Sequence, residues 1–405
     1  MKTRGRYAGL FAAGLLAYLS ALPIELGAVR FSRTQVTGID VQTVHVALKE
    51  SMVREQFPET FRISGRDQDQ WTDVTAEYTI RPELQTHLDE TYERYGPDYA
   101  AFFAMDADTG AVIAYADSFR NPEDNIHGHL ALHALFPAAS VFKTITAAAV
   151  LDTDIAHPES ILPYNGKSTS LYKKQVLNHT DHKWTRRPTL AEAFGDSVNT
   201  VFARLGVYQL GAGSLREYAR RFAFNRYDVL TDLPLDLGRS DIEDDQWVLA
   251  EVASGWTNRN TLSPAHGALL ASAVGGNGRI PVPYVVERLT NQYGWPVYVG
   301  EPRQLSDAIA PETVAEMRTL MRETVKSGSA RRHFRGFDRE GVEVGGKTGT
   351  LTGARPAGLN EWFIGYAERG DDRIAFASLT VSKEKWRVKP AYVARRFLEA
   401  YYEPH

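Results

Sequence analysis

The chain has 405 residues, which at roughly 100–200 residues per domain allows one large domain or two modest ones. Its 43% hydrophobic and 24% charged residues form an ordinary globular mixture and exclude wholesale disorder. Lys and Arg total 46 against 50 Asp and Glu, so there is no basic excess to neutralise a nucleic-acid backbone; zero Cys excludes disulfides, thiolate metal sites, iron–sulfur clusters and a Cys nucleophile.

Lys2, Arg4 and Arg6 precede an apolar run from Tyr7 to Leu22, which extends through Pro23 and Ile24 to Val29 at the cost of including Glu25. Positive residues stay cytoplasmic, so residues 1–30 read first as an uncleaved membrane anchor, with all that follows exported. A cleaved signal and a buried core helix are the second and third readings. Residues 31–77 are weakly patterned and read as a short stalk or subdomain: a helix within Gln35–Phe57, a turn-like Ile63–Gln70 and a strand from Trp71 to Ile80.

Periodicity sharpens from Arg81. Pro82 marks a helix start, and Leu84, Leu88, Tyr92 and Tyr95 recur at helical spacing. Tyr99–Met105 and Ala111–Ala116 flank the turn Asp106-Ala-Asp-Thr-Gly110, which predicts a hairpin. Helices are expected over Val141–Leu151, Leu190–Leu205, Ser263–Val274 and Thr313–Val325, then strands over Val342–Thr352, Trp362–Glu368 and Arg373–Val381, and a last helix over Pro390–Tyr402. This order predicts an α/β (α+β) domain over 78–405: an antiparallel sheet assembled from both chain ends, flanked by helices, with an all-helical lobe inserted.

Three short elements carry chemistry: Ser140-Val-Phe-Lys143, Ser197-Val-Asn199 and Lys347-Thr-Gly-Thr350. Ser-x-x-Lys also occurs at Ser170–Lys173 and Ser382–Lys385, but only Ser140 stands where the loop Phe136-Pro-Ala-Ala139 enters a small, apolar helix. An alcohol is a weak nucleophile that needs a base. Residues three apart share a helix face, so Lys143 can reach the Ser140 hydroxyl. A free Lys is a cation at neutral pH; burial and a second cation, Lys347, would favour the neutral amine. Ser197 can relay a proton and Asn199 can bind a substrate amide, or the reverse. Lys347 supplies charge, Thr350 a hydroxyl for a carboxylate, and Gly349 lets a peptide lie close to the strand.

With these residues in order, the chain resembles a penicillin-binding protein transpeptidase domain, of the serine D,D-peptidase and β-lactamase superfamily. The likeness extends to Tyr78-Thr-Ile-Arg-Pro-Glu-Leu-Gln85, Met105–Ala114, Leu262-Ser-Pro-Ala-His-Gly267 with Gly275-Gly-Asn-Gly278, and Glu361-Trp-Phe-Ile-Gly-Tyr366. The resemblance implies a β-lactamase-like fold and an acyl-enzyme on Ser140, formed from the D-Ala–D-Ala end of a peptidoglycan stem peptide. Lys143 would take the proton, Ser197 would complete the catalytic set, and the backbone N–H groups of Ser140 and Thr350 would hold the oxyanion. Asn199, Lys347, Thr348, Gly349 and Thr350 would bind substrate. Transfer to a neighbouring stem would crosslink, transfer to water would trim as a D,D-carboxypeptidase, and β-lactams would acylate the same Ser140.

The same resemblance implies a periplasmic or otherwise extracytoplasmic domain on a single span of the bacterial cytoplasmic membrane. Cell-wall synthesis proteins are expected partners; no cofactor, metal or nucleic acid is called for. The rival readings are a serine β-lactamase and a non-catalytic sensor or scaffold. Elsewhere, His127, His129 and His133 read as solvated loop residues, as do His179 and His182; Gly275–Gly278 reads as a turn and Trp362 as core.

Overall fold

The computed structural model of the chain describes residues 39–52, 57–64, 71–121 and 128–403. The expected anchor or signal over residues 1–30, and His127, lie outside the described residues. Among the described residues no helix is long and apolar enough to cross a membrane.

The chain divides into two compact units, Met1–Tyr78 with Val286–Glu301, and Thr79–Val285 with Pro302–His405. In the first unit, α1 (Val41–Ser51) starts at Asp40, whose carboxylate accepts from the Thr43 N–H at 2.9 Å, the usual N-cap geometry. It lies against β1 (Thr60–Ser64), which pairs antiparallel with β2 (Trp71–Tyr78). Phe61 and Ile63 on β1, and Val74 and Ala76 on β2, are the buried positions of a two-residue alternation. The turn-like reading of Ile63 and Ser64 gives way to this strand, which is too short for its alternation to stand out in sequence. The hairpin Val286–Asn291 and Pro296–Val299 extends the sheet beside β2, so residues distant in sequence complete this unit.

In the second unit, α2 (Pro82–Tyr95) precedes the hairpin β3 (Tyr99–Asp106) and β4 (Val112–Phe119). Helices α3 (Lys143–Asp152), α4 (Lys173–Leu177), α5 (Leu190–Gly195), α6 (Asn199–Leu205), α7 (Gly211–Arg221) and α8 (Gln246–Ser254) make the inserted lobe. Then come α9 (Pro264–Gly275), α10 (Pro311–Lys326), α11 (Arg331–Phe334), the strands β5 (Glu343–Ala354), β6 (Ala357–Arg369) and β7 (Asp372–Ser382), and α12 (Pro390–Tyr401).

The sheet runs β5-β6-β7-β3-β4, antiparallel throughout, and the β7–β3 pair joins the two chain ends, with Phe376 opposite Ala104. Both faces are covered, which is why β3 is apolar almost without alternation. On one face α2 and α12 bury Leu84, Leu88 and Phe397 against Phe102, Phe363 and Phe376; each such side chain contributes about 1.5–3 kcal/mol of transfer free energy. On the other face lies α9, buried along its whole length. A side chain at Gly267 would come within 2.9 Å of the Ala377 Cβ, so glycine there lets α9 approach the sheet closely. This places β5 at a sheet edge, beside the lobe.

The single helix predicted over Leu190–Leu205 is broken. The apolar spacing continues through Val198 and Val201, but the backbone leaves α5 at Gly195 and Ser197 takes φ +57°. Gly, Asp and Ser in succession are poor helix formers, and the Val198 N–H closes the turn onto the Ala193 carbonyl at 2.8 Å.

Candidate active site

Phe136-Pro137 pairs with Thr261-Leu262, and the Trp362 indole N–H donates to the Pro137 carbonyl at 2.9 Å. Trp362 is therefore core, as its sequence context indicates, and it also pins the entrance to the nucleophile turn. Ala139 takes φ +49°, an unfavourable region for a residue with a side chain. It is held there by Gly255, which ends α8 at φ +69°. A Cβ on Gly255 would fall 1.9 Å from the Ala139 carbonyl oxygen.

Ala139–Phe142 forms one 3-10 turn leading into α3. In a 3-10 turn residues three apart eclipse one another, so Lys143 stacks on Ser140 more directly than in an α-helix. The Lys143 Nζ lies 2.7 Å from the Ser140 Oγ, 2.7 Å from the Asn199 Oδ1 and 2.6 Å from the Ser254 carbonyl oxygen. That carbonyl is free for the contact because it belongs to the last residue of α8, where helical carbonyls lack intrahelical partners. Lys143 is wholly buried, and burial first, then the charge of Lys347, holds its amine well below the usual lysine range. A neutral amine has two N–H donors and one lone pair. Both carbonyl oxygens can only accept, so they take the two donors, and the lone pair faces the Ser140 hydroxyl.

The opposite wall starts at the break between α5 and α6. Asn199, the first residue of α6, is buried and reaches Lys143 across the site. Its own N–H donates to the Ser168 carbonyl at 2.8 Å, which fixes the start of α6. The Ser197 Oγ is buried yet has no hydrogen-bond partner among the described residues.

Strand β5 completes the site. Lys347 is fully buried, its Nζ donates to the Thr348 carbonyl at 3.0 Å, and it lies 5.4 Å from the centroid of the Phe194 ring. Burial pulls its amine down to about 7, with the Asp196 carboxylate opposing the shift. Lys347 and Gly349 point to one side of β5, Thr348 and Thr350 to the other. A Cβ at Gly349 would meet the Val141 Cγ2 at 3.1 Å and the Val141 nitrogen at 3.2 Å. Glycine here lets β5 approach the nucleophile turn; its bare side faces that turn, whereas the sequence reading has the missing side chain make room for a peptide. Thr348 Oγ1 lies 2.6 Å from Ser329 Oγ, and Thr350 is exposed.

Ser140, Lys143 and Asn199 thus meet in direct hydrogen bonds, and Lys347 acts on Lys143 through its charge. Ser197 stands in the turn immediately before Asn199, its hydroxyl without a partner among the described residues. Sequence reasoning missed the Ser254 carbonyl, Gly255 and Ser329. A helix-ending glycine is a readable signal for the first two; Ser329 has none. Of the histidines, His133 Nδ1 lies 2.8 Å from an Asp236 carboxylate oxygen. Among the described residues no three His, Asp or Glu side chains gather as a metal site.

The family model described as the penicillin binding protein transpeptidase domain matches residues 100–399. The chain belongs to this family. The penicillin-binding relatives include the peptidoglycan D,D-transpeptidase PbpA of Mycobacterium tuberculosis, 27% identical over 337 residues, covering 74% of this chain and 66% of the relative. Penicillin-binding protein 1A of Neisseria lactamica is 25% identical over 279 residues, covering 66% of this chain and 30% of that protein. The chain therefore spans just under two thirds of the length of PbpA. Among solved structures, PBPA from Mycobacterium tuberculosis superposes with a TM-score of 0.67 at 23% identity, covering 81% of this chain and 82% of that one. The D,D-transpeptidase domain of a peptidoglycan glycosyltransferase from Eggerthella lenta gives 0.66 at 22% identity, covering 89% and 90%. The fold is that of penicillin-binding transpeptidase domains.

Proposed function

We propose that the protein is a serine D,D-transpeptidase that crosslinks peptidoglycan stem peptides through an acyl-enzyme on Ser140. The observation that carries this reading is the Lys143 amine 2.7 Å from the Ser140 Oγ, with two carbonyl acceptors orienting its lone pair toward the hydroxyl. Ser140 Oγ attacks the carbonyl carbon of the penultimate D-Ala while Lys143 takes its proton. Backbone N–H groups of Ser140 and Thr350 hold the oxyanion. The C–N bond to the terminal D-Ala then breaks, and the leaving amine takes a proton through the Ser197 hydroxyl. Asn199 holds the stem-peptide amide; Thr348 and Thr350, on one side of β5, hold the terminal carboxylate, while Lys347 on the other side supplies the charge beside Lys143. The ester on Ser140 passes to the amine of a second stem, which crosslinks, or to water, which trims. β-Lactams acylate the same oxygen; the imipenem and penicillin G acyl-enzyme complexes solved for penicillin-binding protein A of Mycobacterium tuberculosis support this by fold.

The domain acts outside the cytoplasm, held to the membrane by residues 1–30, with residues 78–405 as the transpeptidase domain and cell-wall synthesis proteins as partners. The basic residues Lys2, Arg4 and Arg6 before the apolar run support that orientation. The test is acylation of the full chain by a fluorescent penicillin, beside Ser140→Ala. Stable labelling that vanishes in the variant is expected. Rapid hydrolysis without accumulating label would instead identify a β-lactamase, and no label on the wild type a catalytically silent relative.

A further inference from the structure

Ser329 lies in the short link between α10 and α11, and it touches both the Ser197 turn and β5. Its N–H donates to the Gly195 carbonyl at 3.0 Å, and its Oγ lies 3.0 Å from the same oxygen and 2.6 Å from Thr348 Oγ1. The approach is tight: a Cβ on Gly328 would fall 2.4 Å from the Gly195 carbonyl oxygen.

The protons at this junction can be counted. Gly195 offers only an acceptor, and Ser329 Oγ carries one proton. While that proton points at Gly195, the short contact with Thr348 requires the Thr348 hydroxyl to donate to Ser329. Thr348 then offers only lone pairs elsewhere, the wrong polarity for a carboxylate. Rotation of the Ser329 hydroxyl reverses this: its proton moves from Gly195 to Thr348 Oγ1, and the Thr348 proton turns toward the ligand. Gly195 keeps an N–H partner throughout, so no buried carbonyl is orphaned by the switch.

We infer that Ser329 is a positioning residue whose hydroxyl rotates to aim the Thr348 O–H at the terminal carboxylate of the substrate. The inference rests on the proposed function, because it takes the ligand of Thr348 to be that carboxylate. Ser329 itself does not touch the reacting atoms.

The test compares two N-acyl-D-alanyl thioesters on the full chain, one whose leaving thiol carries a carboxylate and its carboxamide counterpart, with thiol release as the readout. For Ser329→Ala the KM for the carboxylate substrate should rise about threefold, the cost of no longer aiming one three-fold hydroxyl rotor, since Thr348 can still donate once Ser329 is gone, with kcat unchanged. The carboxamide should be turned over as by wild type, and Ser329→Thr should restore the carboxylate KM. In a Thr348→Val background, Ser329→Ala should cost nothing further. Equal losses on both substrates would reduce Ser329 to a structural tie for the Ser197 turn and overturn the inference, as would an unchanged KM. A wild type that cleaves neither thioester overturns the proposed function, and this inference with it.

Discussion

The two walls of the crevice differ in how completely their polar groups are satisfied. On the Ser140 wall, the three hydrogen-bonding positions of Lys143 each meet a partner, and Gly255 locks the strained Ala139 peptide. On the facing wall, among the described residues, the Ser197 hydroxyl is buried without a partner, and Lys347 has one backbone bond for a buried amine. Both walls bury a lysine, so burial alone does not distinguish them. The first wall is complete before substrate arrives, and the second offers unmet donors for substrate to satisfy. A site that binds a ligand and then releases it retains some unmet hydrogen-bonding capacity, and here that capacity sits across from the nucleophile.

The largest effect should come from the base. Lys143→Met should slow penicillin acylation by about ten-thousandfold, the scale seen when a nucleophile loses its partner. It should also lower stability, because the Asn199 and Ser254 oxygens lose their donor. Lys347→Met should slow acylation about a hundredfold yet raise stability by about 1–2 kcal/mol at neutral pH, since it removes a poorly satisfied buried amine. Denaturant midpoints of the two variants check the contrast; shifts of the same sign would erase the difference between the walls.

The Lys347 amine sits at about 7 in the folded chain and near ~10.4 when unfolded, so between these values the unfolded state binds the extra proton. Wild-type stability should therefore climb as pH rises through that window and level off below about 7, where both states carry the proton, and Lys347→Met should flatten the slope.

Next in size, Ser197→Ala should slow acylation about a hundredfold while leaving stability unchanged or about 1 kcal/mol higher, because the hydroxyl it removes has no partner to lose among the described residues. A stability loss would mean that this oxygen is satisfied in the folded protein. The smallest change is Gly349→Ala. The added methyl must displace Val141 by a few tenths of an ångström, so about 1 kcal/mol of stability and at most about fivefold in acylation should be lost.

The parts of the site that were legible are the local ones. Ser140 and Lys143 lie within one turn, and the order of the three motifs pointed to the family. The strands β3, β6 and β7 and the helices α2, α9 and α12 follow from apolar spacing and from Pro or Ser-Pro starts. The break at Asp196–Val198 was hidden because the apolar spacing runs through it. The hairpin over 286–299 was missed because its partner strand, β2, stands some two hundred residues earlier.

Residue order alone determined which groups can react: a hydroxyl and an amine three positions apart, a chain without thiols, and strands whose periodicity demands burial. Only the tertiary structure decided that Lys143 meets the Asn199 and Ser254 oxygens, that Gly349 turns its bare side to Val141, and that Ser329 stands between Gly195 and Thr348. The reason is range. Periodicity and capping act over a few residues, whereas the burial that lowers an amine and the contacts that orient its lone pair come from segments that only packing brings together.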